Sequence, residues 1–319
     1  MKAILIDYLS PSGHIPIINF YIKNLEKNFD FILLNHNIKK KINKKKKVKY
    51  FHLKKNFITR IIQLAKLFSH FKNKKIKKII MLSYEPYVLF ILGLIIDLDY
   101  FKIFIFEHDT LNSKKKIKLL LINFLSKKII HLVYNKDSKK LLNQNFKRKA
   151  IFTNHPIIKI ENNQSKSKPK RIILIPTRHH FKRDLIENFI KQNRNFNFYI
   201  LSKKSNIKKR LFGNFKNAKL FEFIKERDIE KIVAIYLPID DEVYKYRVSA
   251  WLYKGIAYNK KIFMDHNNLY KFEKKRFPNN ISLNTRKKIN LKDLIIKKKI
   301  NIHKYNSQLI SDLNNSVFK

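Results

Sequence analysis

Residues 236–267 read YLPIDDEVYKYRVSAWLYKGIAYNKKIFMDHN, and this stretch decides the fold. The apolar run just before and into it, IVAIYLP (232–238), closes on a proline and then on Asp240, Asp241 and Glu242. A buried parallel strand leaves its sheet in this way, delivering its carboxyl end to a loop. Val243, Tyr246, Val248, Ala250, Trp251, Tyr253, Ile256 and Ala257 then predict a helix with a broad apolar face. A second short run, Ile262 to Met264, ends in Asp265, His266 and Asn267. Strand, helix and strand within about thirty residues make one βαβ unit. Open α/β sheets bind ligands beyond the carboxyl ends of their strands, so both polar clusters fall on one rim, the candidate site.

Outward from this unit the same alternation continues in both directions. Lys2 to Ile6 reads as a first strand, PSGH as a loop, Ile15 to Lys27 as a helix and Phe29 to Leu34 as a strand. Further strands are predicted over 48–53, 79–83, 103–106, 129–134 and 150–152. Helices are predicted over 57–71, 86–96, 117–126 and 136–146. Residues 160–170 are polar, lack apolar periodicity and contain Pro169, the signature of a linker. Beyond them lie strands at 172–175, 198–201, 218–223 and 281–283, and helices at 185–192, through Arg210, near Glu230 and over 291–313, the last read as one helix or a broken one. The fold class is α/β, with doubly wound parallel sheets in two Rossmann-like domains. The boundaries are 1–159 for the first domain, 160–170 for the linker and 171–319 for the second, whose last helix could pack back on the first.

The 319 residues carry 71 Lys plus Arg against 23 Asp plus Glu, a formal net charge of +48. Such a field draws polyanions: nucleic acid, anionic lipid headgroups or phosphate-bearing substrates. The chain is also rich in Ile, Asn and Phe, the composition of an AT-biased genome that supplies Lys wherever a surface residue is needed, so charge alone does not select the partner. With no Cys there are no disulfides or thiolate metal sites, which fits a reducing compartment. The longest apolar run, Tyr87 to Ile96, falls well short of the roughly 20 residues of a membrane-spanning helix. The cations are spread over every segment instead of gathered in one stripe, so nucleic acid is not the expected partner.

Thr177, Arg178, His179, His180, Lys182 and Arg183 crowd the loop after the second domain's first strand, where a helix begins. Exposed N–H groups at a helix N-terminus favour anions, and the added cations suit a diphosphate. Lys245 and Arg247 begin the helix of the opening stretch, and Arg grips phosphate oxygens at two points where Lys offers one charge. His14 falls at a helix N-terminus, where the dipole favours the neutral imidazole that a general base requires. Glu107 or Asp109 would orient it if their strand ends nearby. Three adjacent residues, Glu107, His108 and Asp109, do not converge readily on one ion, so no metal is expected. Asp265, His266 and Asn267 suit sugar or ribose hydroxyls, and Asn154, His155 and Pro156 read as a hinge.

Four segments together carry a resemblance: SPSGH (10–14), FEHDTLN (106–112), IPTRHHFKRD (175–184) and YRVSAWLYKGIAYNKKIFMDHN (246–267). With this order the chain resembles the two-Rossmann-domain (GT-B) glycosyltransferases, in particular the bacterial group 1 enzymes of surface polysaccharide synthesis. The resemblance implies an acceptor-binding first domain, a nucleotide-sugar-binding second domain, transfer in the cleft between them, and no required metal or cofactor. It implies an acceptor loop at Ser12 and Gly13, catalytic roles at His14, Glu107 and Asp109, and donor contacts at Thr177, Arg178, Lys182, Arg247, Ser249, Asp265, His266 and Asn267. The implied partners are a nucleotide-sugar donor, a lipid-linked glycan acceptor and an anionic membrane surface, with the protein cytoplasmic and peripheral on the inner face of the plasma membrane. Where retaining members carry two glutamates eight apart, this chain has Tyr246 and Lys254, and the usual Gly and Pro before the final strand are Asn259 and Lys261. The stereochemical outcome is therefore open. The rival readings are a basic nucleic-acid-binding protein and a non-catalytic glycan-binding relative.

Overall fold

The computed structural model describes residues 3–10, 14–38, 42, 48–108, 111, 121, 124, 128–159, 170–177, 183–202, 215–238, 248–265, 268–283 and 288–319. The expected helices at 117–126 and through Arg210, most of the 160–170 linker, and the first part of the helix after Pro238 lie outside these residues. The chain divides into two compact units, Met1–Pro156 with Asn306–Lys319, and Ile157–Tyr305.

In the first unit, strands β1 (Ala3–Asp7), β2 (Phe29–Leu34), β3 (Lys49–His52), β4 (Lys78–Ser83), β5 (Lys102–Glu107), β6 (Ile129–Val133) and β7 (Ala150–Phe152) form one sheet. Its order is β3-β2-β1-β4-β5-β6-β7, with every pairing parallel. The helices are α1 (Ile15–Leu25), α2 (Phe57–Asn73), α3 (Pro86–Ile95) and the short α4 (Lys136–Lys140). The helix expected over 136–146 keeps α geometry only to Lys140 and widens into a π turn over Leu141–Asn145. All five residues of β1 and of β6 are buried, as strands flanked on both edges and covered on both faces must be.

The second unit repeats the plan with β8 (Ile172–Pro176), α5 (Arg183–Gln192), β9 (Asn197–Leu201), β10 (Ala218–Phe221), α6 (Glu226–Glu230), β11 (Ala234–Leu237), α7 (Ala250–Ala257), β12 (Lys261–Met264), α8 (Asn268–Arg276) and β13 (Ile281–Ser282). Its parallel sheet runs β10-β9-β8-β11-β12-β13. Alternate strand residues enter two separate cores. Leu174, Ile235, Leu237 and Ile262 meet α7 on one face, while Ile173, Ile175, Phe198 and Tyr236 meet Ile186, Phe189 and Ile190 of α5 on the other. Each sheet therefore has the strand order and two-sided cover of a Rossmann-like domain.

Two helix boundaries differ from the periodicity. Val248 lies before α7, not within it: Ser249 is extended and caps the helix, which begins at Ala250. The helix over 291–313 takes the broken form, starting later than the periodicity suggests: a 3-10 turn at Leu291–Leu294, an irregular stretch, and then α9 (Ile302–Leu313) with a π turn over Asn314–Phe318. That terminal turn meets the amino ends of the first sheet. Asn28 donates to Asn314 Oδ1 at 3.0 Å, Lys78 donates to the Phe318 carbonyl at 3.1 Å, and the Phe29 and Phe318 rings lie 5.7 Å apart. The opposite, carboxyl ends carry the candidate site.

Four glycines leave few residues suited to left-handed backbone, and the structure places other residues there. After α2, Lys75 has φ 56°, its N–H bonds to Lys72 O, and that of Ile76 bonds to Phe71 O. After α7, Asn259 has φ 53°, bonding to Ile256 O, and Lys260 N–H bonds to Gly255 O. Both are Schellman caps with the residue that is usually Gly replaced. Gly255 is needed for a different reason. A Cβ there would lie 2.9 Å from Ile262 Cδ1 and 3.0 Å from Ile235 Cδ1, both in the core between α7 and its strands.

Removing the Cβ strain at Lys75 with Lys75→Gly should raise stability by about 1 kcal/mol, read as a rise of a few degrees in the unfolding midpoint. Gly255→Val should lower it by about 2 kcal/mol through overpacking, measured on the same denaturation curve.

Candidate functional site

The carboxyl rim of the first sheet begins with Asp7, the last residue of β1 and fully buried. Ser83, the last residue of the neighbouring β4, donates its hydroxyl to Asp7 Oδ1 at 2.7 Å. The Ser83 hydroxyl oxygen in turn accepts the N–H groups of Tyr8 at 2.9 Å and Leu9 at 2.7 Å. Burial pushes the Asp7 carboxyl above its ordinary pKa, against hydrogen bonds from Ser10 and Ser83 that pull it down. The β1–β4 step is the point at which strand order reverses, and the clamp fixes how the chain leaves β1 towards α1. Arg60 of α2 lies over the Tyr8 ring, 4.7 Å from its centre.

His14 caps the N-terminus of α1, an 11-residue helix with Pro in its first turn. Its ring lies 5.8 Å from His108, which follows β5; His108 lies 5.4 Å from Tyr134, and Tyr134 lies 5.3 Å from His155. The rim thus carries a row of three imidazoles and a phenol. His108 donates Nε2–H to Leu82 O at 2.9 Å, and His155 donates Nδ1–H to Pro156 O at 2.8 Å. Burial, aided by the nearby His14, pushes the His155 pKa down to about 4, so that imidazole is neutral at ordinary pH.

Glu107 has partners other than His14 at one of its oxygens. Its Oε1 accepts from the Tyr84 hydroxyl at 2.8 Å and from His131 Nδ1 at 2.6 Å. The pairing register sets Ile105 beside His131 and Glu107 beside Val133, so Glu107 and His131 are diagonal neighbours on one sheet face, where both are buried. The residue of that strand end that meets His14 is His108.

On the second sheet's rim, Thr177 follows β8, fully buried, and both its N–H and hydroxyl donate to Leu201 O, at 2.8 and 3.1 Å. Asp265 follows β12 and accepts from the Tyr236 hydroxyl at 3.1 Å. Burial and that carboxylate push the Tyr236 phenol far above its ordinary pKa. Ser249 caps α7 with an extended backbone and no side-chain cap bond. Lys254, aligned with a glutamate of retaining enzymes, pairs instead with Glu226 at 2.5 Å, whose other oxygen accepts from Tyr258 at 2.6 Å. Ser12, Gly13, Asp109, Arg178, Lys182, Arg247, His266 and Asn267 lie outside the described residues. Among the described residues no three His, Asp or Glu side chains converge as a metal site, and no helix is long and apolar enough to cross a membrane.

Sequence reading had not placed Asp7, Ser83 and His155 at the site. The signal for the first two was present, since each is the polar residue that ends an apolar strand run; His155, assigned to a hinge, closes the rim after β7.

No protein-family profile and no curated sequence matches the chain. Solved structures do match along its whole length. Anabaena HepE in complex with UDP-glucose superposes with a TM-score of 0.65 at 8% identity, covering 99% of this chain and 100% of that one. Sucrose-phosphate synthase from Thermosynechococcus elongatus gives 0.60 at 9% identity, covering 100% and 91%. UDP-N-acetylglucosamine 2-epimerase from Rickettsia bellii gives 0.53 at 11% identity, covering 100% and 99%. The fold is accordingly the two-Rossmann-domain fold of the GT-B class.

The imidazole row gives this rim a measurable signature. The unfolded chain protonates His155 near its ordinary 6.5 whereas the folded chain resists until about 4. In that window the unfolded state binds more protons, so stability should fall as pH falls from 6.5 to 4, by up to about 3 kcal/mol from this residue. Chemical denaturation at several pH values should show this slope shrinking in His155→Gln.

Proposed function

We propose that the protein is a glycosyltransferase that moves a sugar from a nucleotide-sugar donor to a lipid-linked glycan acceptor in the assembly of a surface polysaccharide such as capsule, O-antigen or lipooligosaccharide. The observation that carries this reading is the end-to-end agreement of its fold with a structure holding UDP-glucose, at 99% and 100% coverage of the two chains. An imidazole at the N-terminus of α1, on the rim where open α/β sheets take ligands, supports it.

In this reading the acceptor docks by Ser12 and Gly13, and His14 takes the proton of the attacking hydroxyl, with Asp109 as its carboxylate partner. The acceptor oxygen bonds to the anomeric carbon as the bond from that carbon to the diphosphate breaks, and the electron pair leaves with the diphosphate. Arg178, Lys182 and Arg247 stabilise that charge, while Thr177, Ser249, Asp265, His266 and Asn267 line the donor's place. The nucleotide sugar is the substrate, and neither metal nor cofactor is required. The site works on the cytoplasmic face of the plasma membrane.

Thermal-shift screening with nucleotides and nucleotide sugars should give a raised midpoint, since saturation at a hundredfold over Kd adds about 2.7 kcal/mol. Arg178→Ala should damage donor binding and turnover together; His14→Ala should lower turnover by about 10²-fold or more and leave donor binding intact. Full turnover in purified His14→Ala would remove the base from the site. The match to a 2-epimerase favours a second reading, epimerisation of the nucleotide sugar itself. Product analysis separates the two, because transfer releases the nucleoside diphosphate and epimerisation keeps it attached.

A further inference from the structure

We infer that the outer faces of α2 and α3 form a docking surface for an anionic lipid bilayer. The two helices pack side by side in the first unit. α2 turns Ile61, Leu64, Phe68 and Phe71 into the core, yet it leaves Phe57, Ile58 and Ile62 in solvent, Ile58 at 66% exposure. α3, PYVLFILGLI, carries no charged residue. Val88, Leu89 and Leu92 face inwards, while Tyr87, Leu94 and Ile95, spaced i, i+7 and i+8, face out, the last two 73% and 61% exposed. A helix apolar on both sides is either buried in protein or set against lipid.

Charge identifies the occupant. Residues 31–84, which include all of α2, hold 17 Lys and Arg and no Asp or Glu. Lys54, Lys55 and Lys66 are exposed beside the apolar side chains of α2. Arg60 holds the approach to α2 by donating to the carbonyls of Lys54 and Lys55, both at 2.7 Å. The acid that follows α3, Asp97, is paired with Lys72 at 3.5 Å. Apolar side chains that reach the acyl boundary, and cations that meet anionic headgroups, here on the α2 side of the patch, while Glu85, Asp97 and Asp99 flank α3, are the two components of peripheral membrane binding. Nucleic acid has no use for the exposed Leu94 and Ile95. The N-termini of α2 and α3 follow the carboxyl ends of β3 and β4, so this face adjoins the rim that holds Asp7 and Ser83. It rests on the reading of a lipid-linked acceptor in that it brings such an acceptor's membrane to that rim.

Flotation of the full chain with vesicles tests the surface. The protein should float with equal parts phosphatidylcholine and phosphatidylglycerol and much less with phosphatidylcholine alone. Ile58→Asn with Leu94→Asn and Ile95→Asn should weaken partition by about tenfold or more at every salt concentration. Lys54→Glu with Lys55→Glu should weaken it at low salt and little at high salt, where headgroup attraction is screened. Both variants change exposed side chains, and their unfolding midpoints should match the parent's. The inference is overturned if the parent does not float, if the apolar variant floats as well as the parent, or if that variant instead turns a dimer into a monomer. The UDP-glucose thermal shift, measured on the same samples, reports separately on the glycosyltransferase reading: its absence in all of them would sink that reading and leave the docking surface standing.

Discussion

A strand hydrogen-bonded on both edges and covered on both faces takes a polar side chain only where a partner meets it, and most readily at its ends. Ala3, Ile4, Leu5 and Ile6 obey that constraint in β1, and Asp7 marks where it lifts. A carboxyl group there is costly to bury alone, and the Ser83 hydroxyl from the next strand offsets the cost. The bond has a second effect. Ser83 also takes the N–H groups of Tyr8 and Leu9, so the first two residues of the loop to α1 are fixed from the neighbouring strand. The rim chemistry and the sheet's strand order are thus one arrangement: because β1 and β4 are neighbours, the Ser83 hydroxyl can hold Asp7, Tyr8 and Leu9 where the chain leaves β1.

The strands were legible in the sequence because strands covered on both faces write themselves as mostly apolar runs. Phe29 to Leu34 and Ala150 to Phe152 end where the runs end. Helix limits were less legible. Val248 continues the apolar spacing of α7 but precedes its cap, and a Schellman cap on Lys75 or Asn259 carries no Gly to announce it. The rim was half legible: His14 stood out by its place between strand and helix, whereas the Glu107–His131 contact crosses two strands. Its existence depends on a register that sets Glu107 beside Val133, and one strand's sequence does not contain its neighbour's register.

The charge has a structural side as well as an electrostatic one. With 71 cations and 23 acids, most Lys and Arg have no acid to pair with. Several donate to backbone carbonyls instead. Lys78 reaches Phe318 O, Lys260 reaches Glu230 O at 2.9 Å, and Lys261 reaches Asn279 O at 3.0 Å. Burial holds the Lys260 ammonium down to about 8, and the apolar stem of each side chain fills space that a shorter residue would leave open. Part of the excess of Lys is therefore built into element ends, which leaves the acid-free span of residues 31–84 as the local departure that composition alone does not explain.

Identity of 8 to 11% with neighbours that superpose along the whole chain means that the backbone plan persists while nearly every side chain differs. The same plan carries a synthase and an epimerase, so the plan does not choose the chemistry and the rim residues must. In the second unit Lys254, which the sequence resemblance sets against a retaining enzyme's glutamate, has its charge committed to Glu226 on α6. A cation tied there neither accepts a proton nor attacks a sugar. The first unit instead sets His14, His108 and His155 in one row with Tyr134 beside α1, β5 and β7, where a carbonyl fixes one nitrogen of His108 and one of His155.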